Sequence, residues 1–239
     1  GHRPPSIGEH TQEIIDEISR LPEKVRVTET KKTTLPLEGV KVLDFMWALA
    51  GPGATRTLAD MGATVIRVES SSRLDVIRTI RPFIDSDESP EKSALFHNTN
   101  AGKNLLSLDL TKPEGKAVAL DLVRWCDVVT ESFSPKAMKA FGLDYESLLE
   151  VNSDLIMLST CLFGQTGPLS MFAGYGNLAA AIAGFYTITG WPHREPAGPF
   201  GAYTDYIAPR YNAAAILAAL DLRDRAGEGQ HIDLAQAES

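Results

Sequence analysis

The chain has 239 residues, 44% hydrophobic and 23% charged, enough to bury one large core or two modest ones. Its formal net charge of -8 disfavours nucleic acid or an anionic membrane as the main partner, while leaving room for a local basic pocket around phosphates. No apolar run approaches the roughly 18 residues of a membrane span, and the N-terminus lacks the charged-then-apolar order of a secretory signal.

Residues 8–21 (GEHTQEIIDEISRL) carry Ile14, Ile15, Ile18 and Leu21 at helical spacing, which predicts a short amphipathic helix. Residues 22–36 (PEKVRVTETKKTTLP) are polar, charged and poor in core-forming side chains, as a linker would be. From residue 37 the pattern changes. Short β-branched runs (VKVLDF, TVIRVE, LLSLDL, DVVTES, DLIMLS) alternate with helical segments such as PGATRTLADMG. Strands this apolar, joined by helical crossovers, predict an open α/β domain over 37–239, with a parallel sheet covered by helices on both faces.

Within that domain Thr111 stands three residues before Glu114, with Pro113 between them, a capping-box arrangement that predicts a helix to about Trp125. The Ala- and Leu-rich run YNAAAILAALDLRDRAGEG ends in arginines and Gly227, which predicts a charge-matched helix stop. QHIDLAQ reads as a final strand. Cys126 and Cys161 stand far apart, suggest neither a metal site nor a disulfide framework, and are expected as buried thiols in a cytoplasmic protein.

Gly51 and Gly53 before a helix, with Glu69 closing the second strand, sketch a dinucleotide site. Ala54, Thr55 and Arg56 follow instead of the third glycine, so a tight turn that caps a helix fits these residues better than a nucleotide loop. Asp205, in FGAYTDYIAPR, has two readings from the residues alone: a helix cap accepting a backbone N–H, or a carboxylate that attacks an activated acyl group.

The stretches LPLEGVKVLDFMWALAGPGATRTLADMGATVIRVE, NTNAGKNLLSLDLTKPEGK, GYGNLAAAIAGFYTITG and AAILAALDLRDRAGEGQHIDLAQAES, in this order, resemble class III CoA-transferases, the family of formyl-CoA transferase and carnitine CoA-transferase. The resemblance spans nearly all of 35–239 and implies a Rossmann-like large domain plus a small domain that falls mostly outside these residues. PPSIGEHTQEIIDEI resembles the closing segment of the same family, so residues 1–21 are expected to be the tail of a preceding copy, 22–36 a linker, and 37–239 the first part of a second copy in a tandem fusion. An unrelated N-terminal helix is the alternative.

The resemblance implies transfer of CoA between carboxylic acids through an aspartyl-CoA thioester, with Asp205 matching the nucleophile. It implies acyl-CoA and a carboxylate as small-molecule substrates, no metal, and a partner copy supplied in cis or as an interlocked homodimer. Ala48 and Leu49 border the implied acyl pocket, with Leu49 where several members have glutamine. Ser70 and Arg73 follow the second strand near the implied CoA nucleotide, Ser132 and Phe133 lie near its adenine and phosphates, and Lys103, Lys112 and Lys139 fall at or near positions of phosphate charge. Tyr175 matches a pocket position, and Gly176 replaces a frequent acidic residue, which suggests that the loop admits a bulkier or differently charged acyl chain. A non-catalytic scaffold half and a CoA-dependent lyase are the other functions open to this fold. The racemase branch needs a histidine near Tyr175, and none stands there.

Overall fold

The computed structural model describes residues 35–70 and 72–239, so the expected N-terminal helix and nearly all of the expected linker lie outside the described residues. Six strands, β1 (Lys41–Phe45), β2 (Thr64–Glu69), β3 (Asn104–Ser107), β4 (Val128–Glu131), β5 (Ile156–Cys161) and β6 (His231–Ala235), form one sheet in the order β3-β2-β1-β4-β5-β6. Every pairing is parallel. The chain reverses direction of travel across the sheet between β1 and β4, and open sheets of this order leave a crevice outside the carboxyl ends of the strands at that point.

The central strands are apolar on both faces because helices cover both. Val42, Val65, Val128 and Ile156 pack with Leu58 of α1 (Ala50–Asp60) in one core cluster. Leu43, Phe45, Val129 and Met157, on the alternate positions of the same strands, pack with Val123 in the other. That second layer comprises α3 (Pro113–Trp125), α4 (Pro135–Phe141) and α5 (Tyr145–Leu149), with α2 (Ala94–Asn100) preceding β3. The short helices α6 (Gly176–Ile182) and α7 (Phe185–Ile188) lead to α8 (Tyr203–Ala226), whose Ile216 and Leu220 join the first cluster. Each fully buried side chain of this size contributes about 1.5–3 kcal/mol over remaining exposed.

Three local expectations change. The helix at 113–125 forms, but Lys112 occupies its N-cap without a side-chain bond, because the Thr111 hydroxyl donates instead to Asp109, at 2.6 Å. α8 ends at Gly227 in the left-handed conformation (φ 74°), yet it begins at Tyr203, eight residues before the Ala-rich run, and carries Pro209 inside. Gly51 and Gly53 lie in the first turn of α1 and serve close packing. A Cβ on Gly51 would fall 2.7 Å from the Met46 side chain, and one on Gly53 would fall 3.2 Å from Pro209.

Candidate active site

A cavity of about 750 Å³ opens at the carboxyl ends of the strands. Its wall includes Phe45 and Trp47 after β1, Ser70 and Arg73 after β2, Ser132 and Phe133 after β4, and Asp205 with Gln236 on the far side.

Asp205 is the third residue of α8, and the helix cap is Ala202, which has no side-chain bond; the capping reading of Asp205 therefore does not hold. Its carboxylate serves tertiary contacts. Gln236 Nε2 donates to Oδ1 at 2.6 Å, and the Gly176 backbone N–H donates to the same carboxylate. Burial raises the pKa of Asp205, and the Gln236 and Gly176 donors offset this only in part. Among the described residues no lysine or arginine forms an ion pair with it.

Tyr175 caps α6, lines the cavity and is 66% exposed. Gly176 packs directly against Asp205 and Thr204. A Cβ there would lie 2.8 Å from Asp205 Cγ and 2.9 Å from the Thr204 hydroxyl, so the missing side chain is the space in which the carboxylate sits.

The loop after β1 forms the opposite wall. Ala48 adopts a left-handed conformation (φ 61°), which costs a non-glycine residue about 1–2 kcal/mol. Both oxygens of Asp75 accept from its N–H at 3.1 Å and hold it there. The wall consists of Ala48, Ala50 and Gly51; Leu49, expected to border the pocket, is the N-cap of α1 and lies outside it. Next to Ala48, the Trp47 N–H donates to Ser132 Oγ at 2.9 Å, and its ring lies between Phe133, 6.2 Å away by centroids, and the Arg73 guanidinium, 5.7 Å from the ring centre. An aromatic face beside an exposed cation suits a nucleotide base and its phosphates.

Lys103 is a correction. Its side chain is 1% exposed, and Nζ donates to Asp44 Oδ2 (3.0 Å), the Pro52 carbonyl (2.9 Å) and Asn100 Oδ1 (3.0 Å), so all three of its protons are used inside the protein. Burial pushes Lys103 down to about 8, with the Asp44 charge opposing. Lys112 and Lys139 are exposed but lie outside the cavity wall: the first sits at the N-cap of α3, and the second follows Met138, the residue of α4 that faces the core. Glu69, considered for a ribose, is taken up by Arg78, whose Nε and Nη2 donate at 2.9 and 3.0 Å.

Cys161 lines the cavity and is half-buried, in contrast to the buried Cys126. Sequence reasoning missed Trp47, Asp75 and Gln236. Trp47 and Gln236 adjoin strand ends, where the polarity or ring size could have marked them. Nothing local distinguishes Asp75, since its partners Arg67 and Ala48 lie 8 and 27 residues away.

The model of CoA-transferase family III matches residues 37–239. This chain belongs to that family. Over 211 residues it is 43% identical to a succinate–glutarate CoA-transferase of Agrobacterium fabrum, covering 87% of this chain and 53% of the relative. Over 199 residues it is 38% identical to the human succinyl-CoA:glutarate CoA-transferase, covering 83% and 44%. A crystal structure of a CaiB/BaiF family protein from Brucella suis superposes with a TM-score of 0.80 at 39% identity, covering 86% of this chain and 54% of that one. This family III chain thus spans about half the length of the relatives it matches. Among its described residues no helix is long and apolar enough to cross a membrane, and no group of three or more His, Cys, Asp or Glu is arranged to hold a metal ion.

Proposed function

We propose that the protein containing this family III chain transfers coenzyme A from an acyl-CoA to a second carboxylic acid, with Asp205 as the covalent relay. The supporting observation is a cavity-lining carboxylate, partly desolvated, held by amide donors and not neutralised by a cation. Desolvation makes such a group a better nucleophile, and no general base is required because a carboxylate attacks in its ionised form.

The carboxylate attacks the thioester carbonyl and expels CoA thiolate, leaving a mixed anhydride on Asp205. The thiolate then attacks Cγ of Asp205, which releases the donor acid and forms the aspartyl-CoA thioester. An acceptor carboxylate repeats the two exchanges in reverse and leaves as the new acyl-CoA. In this reading Ser70, Arg73, Ser132, Phe133 and Trp47, which all line the cavity, take the nucleotide end of CoA, and no metal participates. Succinyl-CoA and glutarate are the first pair to assay, given what the two relatives are named for.

The resemblance of residues 1–21 to a family ending supports a tandem fusion with a second copy in cis, which would build in one polypeptide the interlocked pair otherwise made by two chains. Two free cysteines fit a cytoplasmic location.

The test uses the full-length protein, succinyl-CoA and glutarate, with hydroxylamine and mass spectrometry to trap and place the adduct. Expected are a CoA adduct on Asp205 and a loss of transfer of about a thousandfold or more in Asp205→Ala. Transfer undiminished in that variant, or an adduct on another residue, overturns the assignment and favours a scaffold role for this half.

A further inference from the structure

We propose that Gln236 is a catalytic residue of the same site, its side-chain amide serving as the hydrogen-bond donor for the oxyanion that forms on Asp205 Oδ1. This rests on the reading of Asp205 as the covalent relay.

Gln236 follows β6 directly and is buried, 7% exposed, and it lines the cavity together with Asp205. Its amide orientation follows from its neighbours. Nε2 lies 2.6 Å from Asp205 Oδ1 and 2.9 Å from Thr204 Oγ1. The Thr204 hydroxyl proton is committed to the Gly176 carbonyl at 3.0 Å, so toward Gln236 this hydroxyl can only accept. Both neighbours are acceptors and both amide protons are used, so the nitrogen and not the oxygen must face Asp205.

The arrangement assigns different tasks to the two carboxylate oxygens. Gln236 donates to Oδ1. The Gly176 N–H donates to the same carboxylate, but each carboxylate oxygen has two acceptor sites, so Oδ2 keeps one free and is the atom assigned to bond to the acyl carbonyl. In the resulting anhydride Oδ1 is the carbonyl oxygen of Asp205 and Oδ2 the bridge. When CoA thiolate bonds to Cγ, the carbonyl electron pair moves onto Oδ1. Collapse of this tetrahedral species breaks the Cγ–Oδ2 bond, and the donor acid leaves as a carboxylate carrying Oδ2. No proton is gained or lost. Negative charge therefore develops on the atom to which Gln236 already donates through a short, 2.6 Å bond. Because Thr204 ties the amide down, little reorganisation is needed at the moment of reaction.

The experiment compares Gln236→Leu and the equally sized Gln236→Glu with wild type in the full-length protein, using succinyl-CoA and glutarate. Thermal unfolding and circular dichroism report the folded fraction. In Gln236→Leu the single-turnover rate of adduct formation on Asp205 is expected to fall about a hundredfold per folded site, with KM for succinyl-CoA changed by less than about threefold. The acid limb of the rate profile moves to higher pH, because the lost donor had favoured the ionised carboxylate. Gln236→Glu places a second carboxyl against Oδ1 and is expected to abolish the adduct near neutral pH. A merely structural glutamine would lower the folded fraction and leave the rate per folded site and the acid limb unmoved, which overturns the proposal. Absence of any adduct on Asp205 in wild type removes the relay reading and this inference together; an adduct in wild type with an unaltered Gln236→Leu rate removes this inference alone.

Discussion

Asp44 is a buried and Asp205 a partly buried carboxylate of the same domain, and their surroundings are opposite. Asp44, fully buried in β1, accepts from Lys103, Thr55, Thr130 and the Met46 N–H. Burial pushes its pKa up, but Lys103, Arg67 and these donors more than offset that and leave it lowered. Around it Arg67 pairs with Asp75 and Arg78 with Glu69, so charge is balanced within a dry network. Asp205 has only neutral donors, and its pKa is raised. On the proposed reading, a carboxylate matched by cations fixes structure, whereas one held by amides alone is left to react.

The contrast can be broken most severely at Lys103. Lys103→Met leaves Asp44 buried without its counter-ion and is expected to destabilise the domain by about 3–5 kcal/mol, measured by urea unfolding. KM for acyl-CoA in the folded protein should stay within about twofold. A raised KM at unchanged stability would return Lys103 to the phosphate-binding role suggested by its sequence position.

Gly176→Ala acts on the other carboxylate. The new Cβ would lie 2.8 Å from Asp205 Cγ, so the carboxylate must move. Transfer is expected to drop ten- to hundredfold, on the scale of misplacing a reacting group by about 1 Å, with little change in KM. A variant at wild-type rate would show that the carboxylate tolerates displacement.

Glu131 sharpens the comparison at smaller amplitude. Burial pushes it up to about 7, against the Ser159 hydroxyl and the Phe133 N–H, and Asp233 pushes in the same direction as burial. The unfolded carboxyl ionises near 4.5 while the folded one holds its proton to about 7, so stability is fully present below 4.5 and is lost as pH rises through that window. Glu131→Gln should raise Tm by a few degrees at pH 8 and much less at pH 4.5. An equal shift at both pH values would show that burial of Glu131 carries no ionisation penalty.

The period-2 and period-3.6 patterns, together with Gly227 as a helix stop, made the alternating strands and helices and the parallel sheet legible, because burial on both faces leaves near-continuous apolar runs. The resemblance to CoA-transferases also brought Ser70, Arg73, Ser132, Phe133, Tyr175 and Asp205 into consideration, and the fold gathers them round one cavity. Which lysine is free and which is buried was not legible: Lys103, Lys112 and Lys139 are chemically alike, and only a partner 59 residues away separates the first from the others. The partnership of Asp205 with Gln236, 31 residues apart, is of the same kind. Local chemistry specifies backbone conformation through short-range sterics and hydrogen bonds, so the sequence by itself determined the elements and their class. Desolvation and charge pairing depend on what closes over a side chain from distant strands, and for that reason only the tertiary structure decided which carboxylate is neutralised and which stands at the cavity.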